Sequence, residues 1–196
     1  MAAETSTISF LDKLRRAVEE DPDSLRAHLK LGLALIKAQQ YGPAEAELRR
    51  ALQIDSGCVE AWINLGGVCL TRLDFAGCVE ANNNAIEHDP QALLAHYNKG
   101  LGHLYLKQTH ELVDCFRRVL EIDAEHAGGN YYMAVGLHSL GNTPEAWMFY
   151  QKALQLGFAP QPEFVRVMGR YEENIGGGAV TVEIGSDSQD TSTPNK

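Results

Sequence analysis

The side chains best able to do chemistry in this chain are histidine, lysine, cysteine and asparagine, and spacing decides what each can be used for. His96, Lys99 and His103 stand at offsets of 3 and 7, which places them on one face of a helix. Seven residues at 1.5 Å each put the two imidazoles about 10 Å apart along the axis, too far to share one metal ion. The four cysteines, Cys58, Cys69, Cys78 and Cys115, form neither a C-x-x-C nor a zinc-ligand spacing. No metal and no cofactor is expected. The thiols are expected to be reduced, with Cys69 and Cys78 serving as small core residues. The chain carries no nucleophile elbow, P-loop, dinucleotide fingerprint or H-E-x-x-H, and Gly176–Gly178 is a glycine run without the flanking strand and helix. The expectation is a chain that is not an enzyme.

The elements that position these residues are helices. Phe10, Leu11, Leu14, Ala17 and Val18 give Ile8–Glu20 helical spacing, and Asp21-Pro22 stops it. Residues 1–7 are small and polar and are expected to fray. From Leu25 onward, small residues return every 34 positions. Gly32, Gly66, Gly100 and Ala134 form one row, Ala44, Cys78 and Ala146 a second, and Ala51, Ala85 and Ala153 a third. A helical glycine costs about 1 kcal/mol against alanine, so its recurrence at one position points to close helix packing. Thr143-Pro144 supplies an N-cap hydroxyl and a proline at the first helical position, and Pro43 sits where a helix can start.

The 196 residues are 44% hydrophobic and 22% charged, with a formal charge of −9. Such a surface repels phosphate backbones, so no nucleic-acid partner is expected. The segment MAAETSTISFLDKLRR lacks the apolar core of a signal peptide, and no run approaches the roughly 18 apolar residues that span a bilayer. A cytoplasmic protein without membrane insertion is expected.

Val59–Pro90 carries Trp62, Leu65 and Gly66, then Ala85 and Pro90 at fixed offsets. It resembles the tetratricopeptide repeat (TPR), a 34-residue helix–turn–helix unit. Cys69, Cys78 and Asn82 depart from the usual Tyr, Ala and aromatic. The resemblance recurs in register over Leu25–Cys58, Val59–Ala92, Leu93–His126 and Ala127–Pro160. It implies an all-α fold, a right-handed superhelical solenoid of antiparallel helix pairs. That solenoid would hold four repeats, an N-terminal half-repeat and a closing helix at Gln161–Asn174, forming a domain over 8–174. Residues 175–196 are expected to be a disordered tail, within which AVTVEI has a strand-like pattern.

The resemblance further implies protein partners, bound as a peptide segment or helix in a concave groove lined by the first helices. Carried over position by position, that groove takes in Leu29, Lys30, Leu33, Lys37, Ile63, Asn64, Tyr97, Asn98, Leu101, Tyr105, Tyr131 and Tyr132. Asn64 and Asn98 would hold an extended peptide backbone, because a primary amide donates and accepts at once. The clamp for acidic chaperone tails is missing: Leu29 and Leu33 replace its Lys and Asn, and Leu94 and Asn98 its Lys and Arg. An adaptor or assembly factor, an export-type chaperone and a homo-oligomeric structural subunit all fit. Against the family pattern, His96, Lys99 and His103 replace Trp, Leu and Tyr at core positions, and Asn82 joins them as a polar seam. That face is expected over Leu112, Phe116 and Val119, with Glu80 or Glu87 near. It is either a solvated, satisfied seam or a polar pocket that binds a side chain or tunes assembly with pH.

Overall fold

The computed structural model describes residues 2–175, with side chains from residue 10 onward. Ten helices account for nearly all of it, and no strand occurs among the described residues. They are α1 (Ala2–Glu20), α2 (Leu25–Lys37), α3 (Tyr41–Ile54), α4 (Val59–Thr71), α5 (Phe75–His88), α6 (Leu93–Tyr105), α7 (Thr109–Ile122), α8 (Ala127–Ser139), α9 (Thr143–Gln155) and α10 (Pro162–Asn174). Two compact units result, Met1–Pro160 and a second that begins at Gln161 and contains α10. In the first unit each helix packs against the next, and α2/α3, α4/α5, α6/α7 and α8/α9 form the four repeats of an all-α solenoid. The first helix begins at Ala2, so the backbone of residues 2–7 is helical where fraying was expected: no Pro or Gly interrupts it. The tail readings for residues 176–196 lie outside the described residues.

The register is written in the turns. Within each repeat the first helix ends on a left-handed residue, Gln39 (φ 58°), Leu73 (φ 64°), Lys107 (φ 59°) and Gly141 (φ 85°), 34 apart. Each is the C′ residue of a Schellman motif: Gln40 N–H donates to Leu35 O at 2.9 Å and Gln39 N–H to Ile36 O at 2.9 Å, with matching pairs in the other repeats. Between repeats, Asp55, Asp89 and Asp123 end the second helices. Their carboxylates accept from the N–H two residues on, in Gly57, Gln91 and Glu125, at 2.9–3.0 Å. The last repeat differs by one residue from its sequence reading. Asn142, not Thr143, is the N-cap of α9, and Pro144 follows at the second helical position.

One further regularity joins turn to helix. The fourth residue of each first helix reaches back to the carbonyl six residues earlier: His28 Nε2 to Pro22 O (3.0 Å), Trp62 Nε1 to Ser56 O (2.7 Å), His96 Nε2 to Pro90 O (3.0 Å) and Asn130 Nδ2 to Ala124 O (3.3 Å). Three different residue types share one task, supplying an N–H to a turn carbonyl that the helix cannot satisfy.

The core runs between paired helices. Ala44, Leu48, Ala51, Leu65, Cys78, Ala85, Leu112, Phe116, Val119, Ala146 and Ala153 are buried. The glycine row marks close approaches of the paired helices. A Cβ on Gly32 would lie 3.2 Å from the Leu48 side chain, one on Gly66 2.2 Å from Asn82 Nδ2, and one on Gly100 2.7 Å from the Phe116 ring. Leu112 stands where the other repeats carry Ala or Cys, and Gly136 makes room for it: a Cβ there would come within 2.4 Å. The four cysteines are free, and three are buried.

Candidate functional site

The first helices α2, α4 and α6 line a small pocket of about 190 Å³, bounded by Ile36, Tyr41, Ile63, Asn64, Gly67, Val68, Thr71 and Asn98. Its wall comes from side chains one repeat apart, so the 34-residue register is what brings Asn64 and Asn98 to the same opening. Gly67 leaves the floor bare, with nothing within 4 Å of where a Cβ would sit. Asn64 Nδ2 donates to Glu60 O at 2.7 Å, which leaves its carbonyl oxygen and second N–H for a ligand. The Asn98 side chain makes no hydrogen bond with a described residue, while its backbone oxygen accepts from Cys78 Sγ at 3.3 Å. Tyr41 and Val68 were absent from the sequence reading. Tyr41 opens a second helix, where Phe75, Thr109 and Thr143 stand in the other repeats, and no groove pattern marks it.

The other expected groove residues divide by environment. Leu29, Leu33 and Leu101 are half-buried, and Lys30 and Lys37 are exposed; none of the five borders the pocket. Tyr97 and Tyr132 belong to an aromatic cluster. Tyr97 meets Phe116 edge-on (5.5 Å between centroids) and Tyr132 at 5.9 Å, and Tyr132 stacks on Phe116 at 5.1 Å. Burial raises the Tyr97 hydroxyl and pushes that of Tyr132 up to about 12, so both stay neutral donors. Tyr131 corrects the sequence reading. It is only 3% exposed, because Phe158, just beyond α9, stacks on its ring at 4.5 Å. It belongs to the core and not to an open groove wall. Tyr105 is the reverse case, 57% exposed and stacked on Phe75 of the preceding repeat at 4.6 Å with an interplanar angle of 11°.

The polar seam also resolves into two places. Asn82 is fully buried between α4 and α5, against Gly66. Its Nδ2 donates to Cys78 O at 2.8 Å, and its Oδ1 has no partner. It does not border the cleft lined by His96, Lys99 and His103, so its grouping with the seam is corrected: the missing Cβ of Gly66 leaves room for the amide. His96, Lys99 and His103 border a separate cleft of about 390 Å³, walled by Val79 and Asn83 of α5 and by Glu111, Asp114, Cys115 and Arg118 of α7. His96 and His103 are buried yet bonded, His96 to Pro90 O and His103 Nδ1 to Gln108 Oε1 at 2.7 Å. The partners are thus a turn carbonyl and a glutamine, in place of the expected Glu80 or Glu87. Leu112, Phe116 and Val119 lie in the core and do not border this cleft.

Catalytic chemistry finds little support in these groups. Burial pushes the Cys78 thiol up to about 12 and the Cys115 thiol up to about 11, so neither is a thiolate at neutral pH. No group of three His, Cys, Asp or Glu among the described residues converges as metal ligands, and no described helix is long and apolar enough to cross a membrane.

Comparison with known proteins agrees with this geometry. The profile of the tetratricopeptide repeat family matches residues 11–65. Human protein O-mannosyl-transferase TMTC3 is 26% identical over 161 residues, which cover 79% of this chain but 17% of that protein. The chain thus spans about a sixth of that relative's length, and the transferase's activity does not carry over with the match. Among solved structures, MamA superposes with a TM-score of 0.74 at 17% identity, covering 79% of this chain and 91% of that one. YrrB, a TPR protein with an unusual peptide-binding site, superposes with a TM-score of 0.69 at 18% identity, covering 88% and 86%. At these identities the likeness is one of fold. With ten helices in 34-residue register and a family match over residues 11–65, the chain has the fold of a tetratricopeptide-repeat protein.

Proposed function

We propose that this chain is a non-catalytic binding module that holds an extended segment of a partner protein across α2, α4 and α6. The pocket over Gly67 carries the reading. It is open because a glycine stands where a side chain would fill it, and it is flanked by two asparagines one repeat apart. An apolar partner side chain enters it against Ile36, Ile63 and Val68, while Asn64 and Asn98 pair with the peptide backbone. YrrB supports the reading as a TPR protein of the same fold with a peptide-binding site. The four free thiols support a reducing, cytoplasmic setting.

The test is a peptide library panned against the chain, followed by calorimetry on the selected sequences. Gly67→Leu fills the pocket without touching the core and should weaken those peptides tenfold or more. Asn98→Ala should weaken them less. Equal affinity for Gly67→Leu and the parent chain would place binding elsewhere.

A further inference from the structure

The cleft between α5, α6 and α7 has no part in the groove reading, and its charges are arranged. Glu111, Asp114 and Arg118 share one face of α7 at offsets of 3 and 7, so acid gives way to base over about 10 Å. Lys99 of α6 stands between them: with Arg118 it acts on His96, and with Asp114 and Glu111 on Cys115. Arg118 is paired with Glu121 (2.7 Å) and Asp114 with Arg117 (2.5 Å). Lys99 and Glu111 form no ion pair with any described residue. The cleft therefore keeps one cation and one anion without an ion-pair partner among the described residues.

The floor is polar. His96 Nε2 donates to Pro90 O, which leaves Nδ1 as an acceptor, and His103 is bonded through Nδ1 to Gln108, which leaves Nε2. Desolvation, aided by Arg118 and Lys99, lowers the His96 pKa against the opposing pull of the Pro90 carbonyl and Asp89, so its ring is neutral at pH 7. Two imidazoles, each with one ring nitrogen bonded, thus border a cleft of about 390 Å³ that carries both signs of charge. Its volume falls within the range of ligand sites, about 300–1,000 Å³.

We propose that this cleft is a second binding site, for a short extended segment of a protein partner carrying a basic and an acidic side chain two residues apart. The carboxylate meets Lys99 and Arg118, the basic group meets Glu111 and Asp114, and backbone N–H groups between them meet the imidazoles. The spacing follows from the cleft. An extended chain advances about 3.3 Å per residue, so alternate side chains lie on one side about 7 Å apart, and their stems cover the rest.

The test is a titration of the isotope-labelled full chain with acetylated, amidated Lys-Ala-Glu, read by backbone amide shifts. Saturable shifts should centre on α6 and α7 around Lys99, Asp114 and Arg118. Lys-Ala-Gln and Gln-Ala-Glu should each bind about fivefold more weakly, the loss expected for one partly shielded ion pair. Lys99→Met and Glu111→Gln should do the same with unchanged circular dichroism. Methionine suits this position, since Leu31, Leu65 and Met133 fill it in the other repeats. Absent shifts, or equal affinity for the neutral analogues, would overturn the proposal. Shifts confined to α2 and α4 would overturn it too while leaving the groove reading intact.

Discussion

Gly66 and Gly67 are neighbours on α4, and the structure assigns them opposite consequences. Alanine in a helix interior is favoured over glycine by about 1 kcal/mol. At Gly67 an added Cβ meets nothing within 4 Å, so Gly67→Ala should recover most of that gain. At Gly66 the Cβ would lie 2.2 Å from Asn82 Nδ2 and 2.9 Å from its Cγ. Asn82 is fully buried and its amide holds Cys78 O, so it must shift in a packed core and weaken that bond. Overpacking of this kind costs about 1–3 kcal/mol, which outweighs the propensity gain. The two variants should therefore differ by about 2 kcal/mol, with opposite signs relative to the parent. For a chain of this size each kcal/mol moves the midpoint by roughly 2–4 °C, so thermal melts and urea titrations resolve the gap. Asn82→Ala in the Gly66→Ala background removes the obstructing amide and should restore part of the loss. Equal shifts for the two single variants, or no relief in the double variant, would refute the packing explanation of the glycine row.

Two further outcomes follow from the backbone and from titration. Leu73 holds a left-handed φ of 64° and is 72% exposed, so Leu73→Gly should stabilise by up to about 1 kcal/mol, whereas Gly141→Ala at φ 85° should destabilise by about as much; paired urea titrations check both signs. Burial lowers the folded-state pKa of His96 below its ordinary 6.5, so the unfolded chain binds the proton more readily. Stability should be full above about pH 6.5 and fall as pH drops through that value toward the folded pKa. His96→Asn, which keeps an N–H donor as Asn130 does, should flatten that part of a stability profile measured from pH 7.5 to 5.

The comparison of sequence with structure turns on which residues had a local cause. The stop at Asp21-Pro22 and the start near Thr143-Pro144 were legible because their causes are local and act within a few residues of themselves. Asn64 and Asn98 were legible as neighbours because the repeat period alone brings them together. His96 looked like a lapse in a core pattern. Only the turn geometry shows that it, His28, Trp62 and Asn130 share one hydrogen bond, since that bond depends on donor position and not on size or hydrophobicity.

From the sequence by itself come the fold class, the period, the pairing of helices and the expectation that the first helices present a binding surface. These are properties of a repeat whose contacts are mostly with its nearest neighbours. What only the tertiary structure decided is which side chains the packing admits. Phe158 covers Tyr131, Gly66 leaves room for Asn82, Gly136 makes room for Leu112, and the bare Cα of Gly67 opens the pocket between the two asparagines. Each of these depends on the volume left by a residue on another helix. Close-packed interiors settle such questions by fit, and fit is a property of the assembled layers that no single repeat contains.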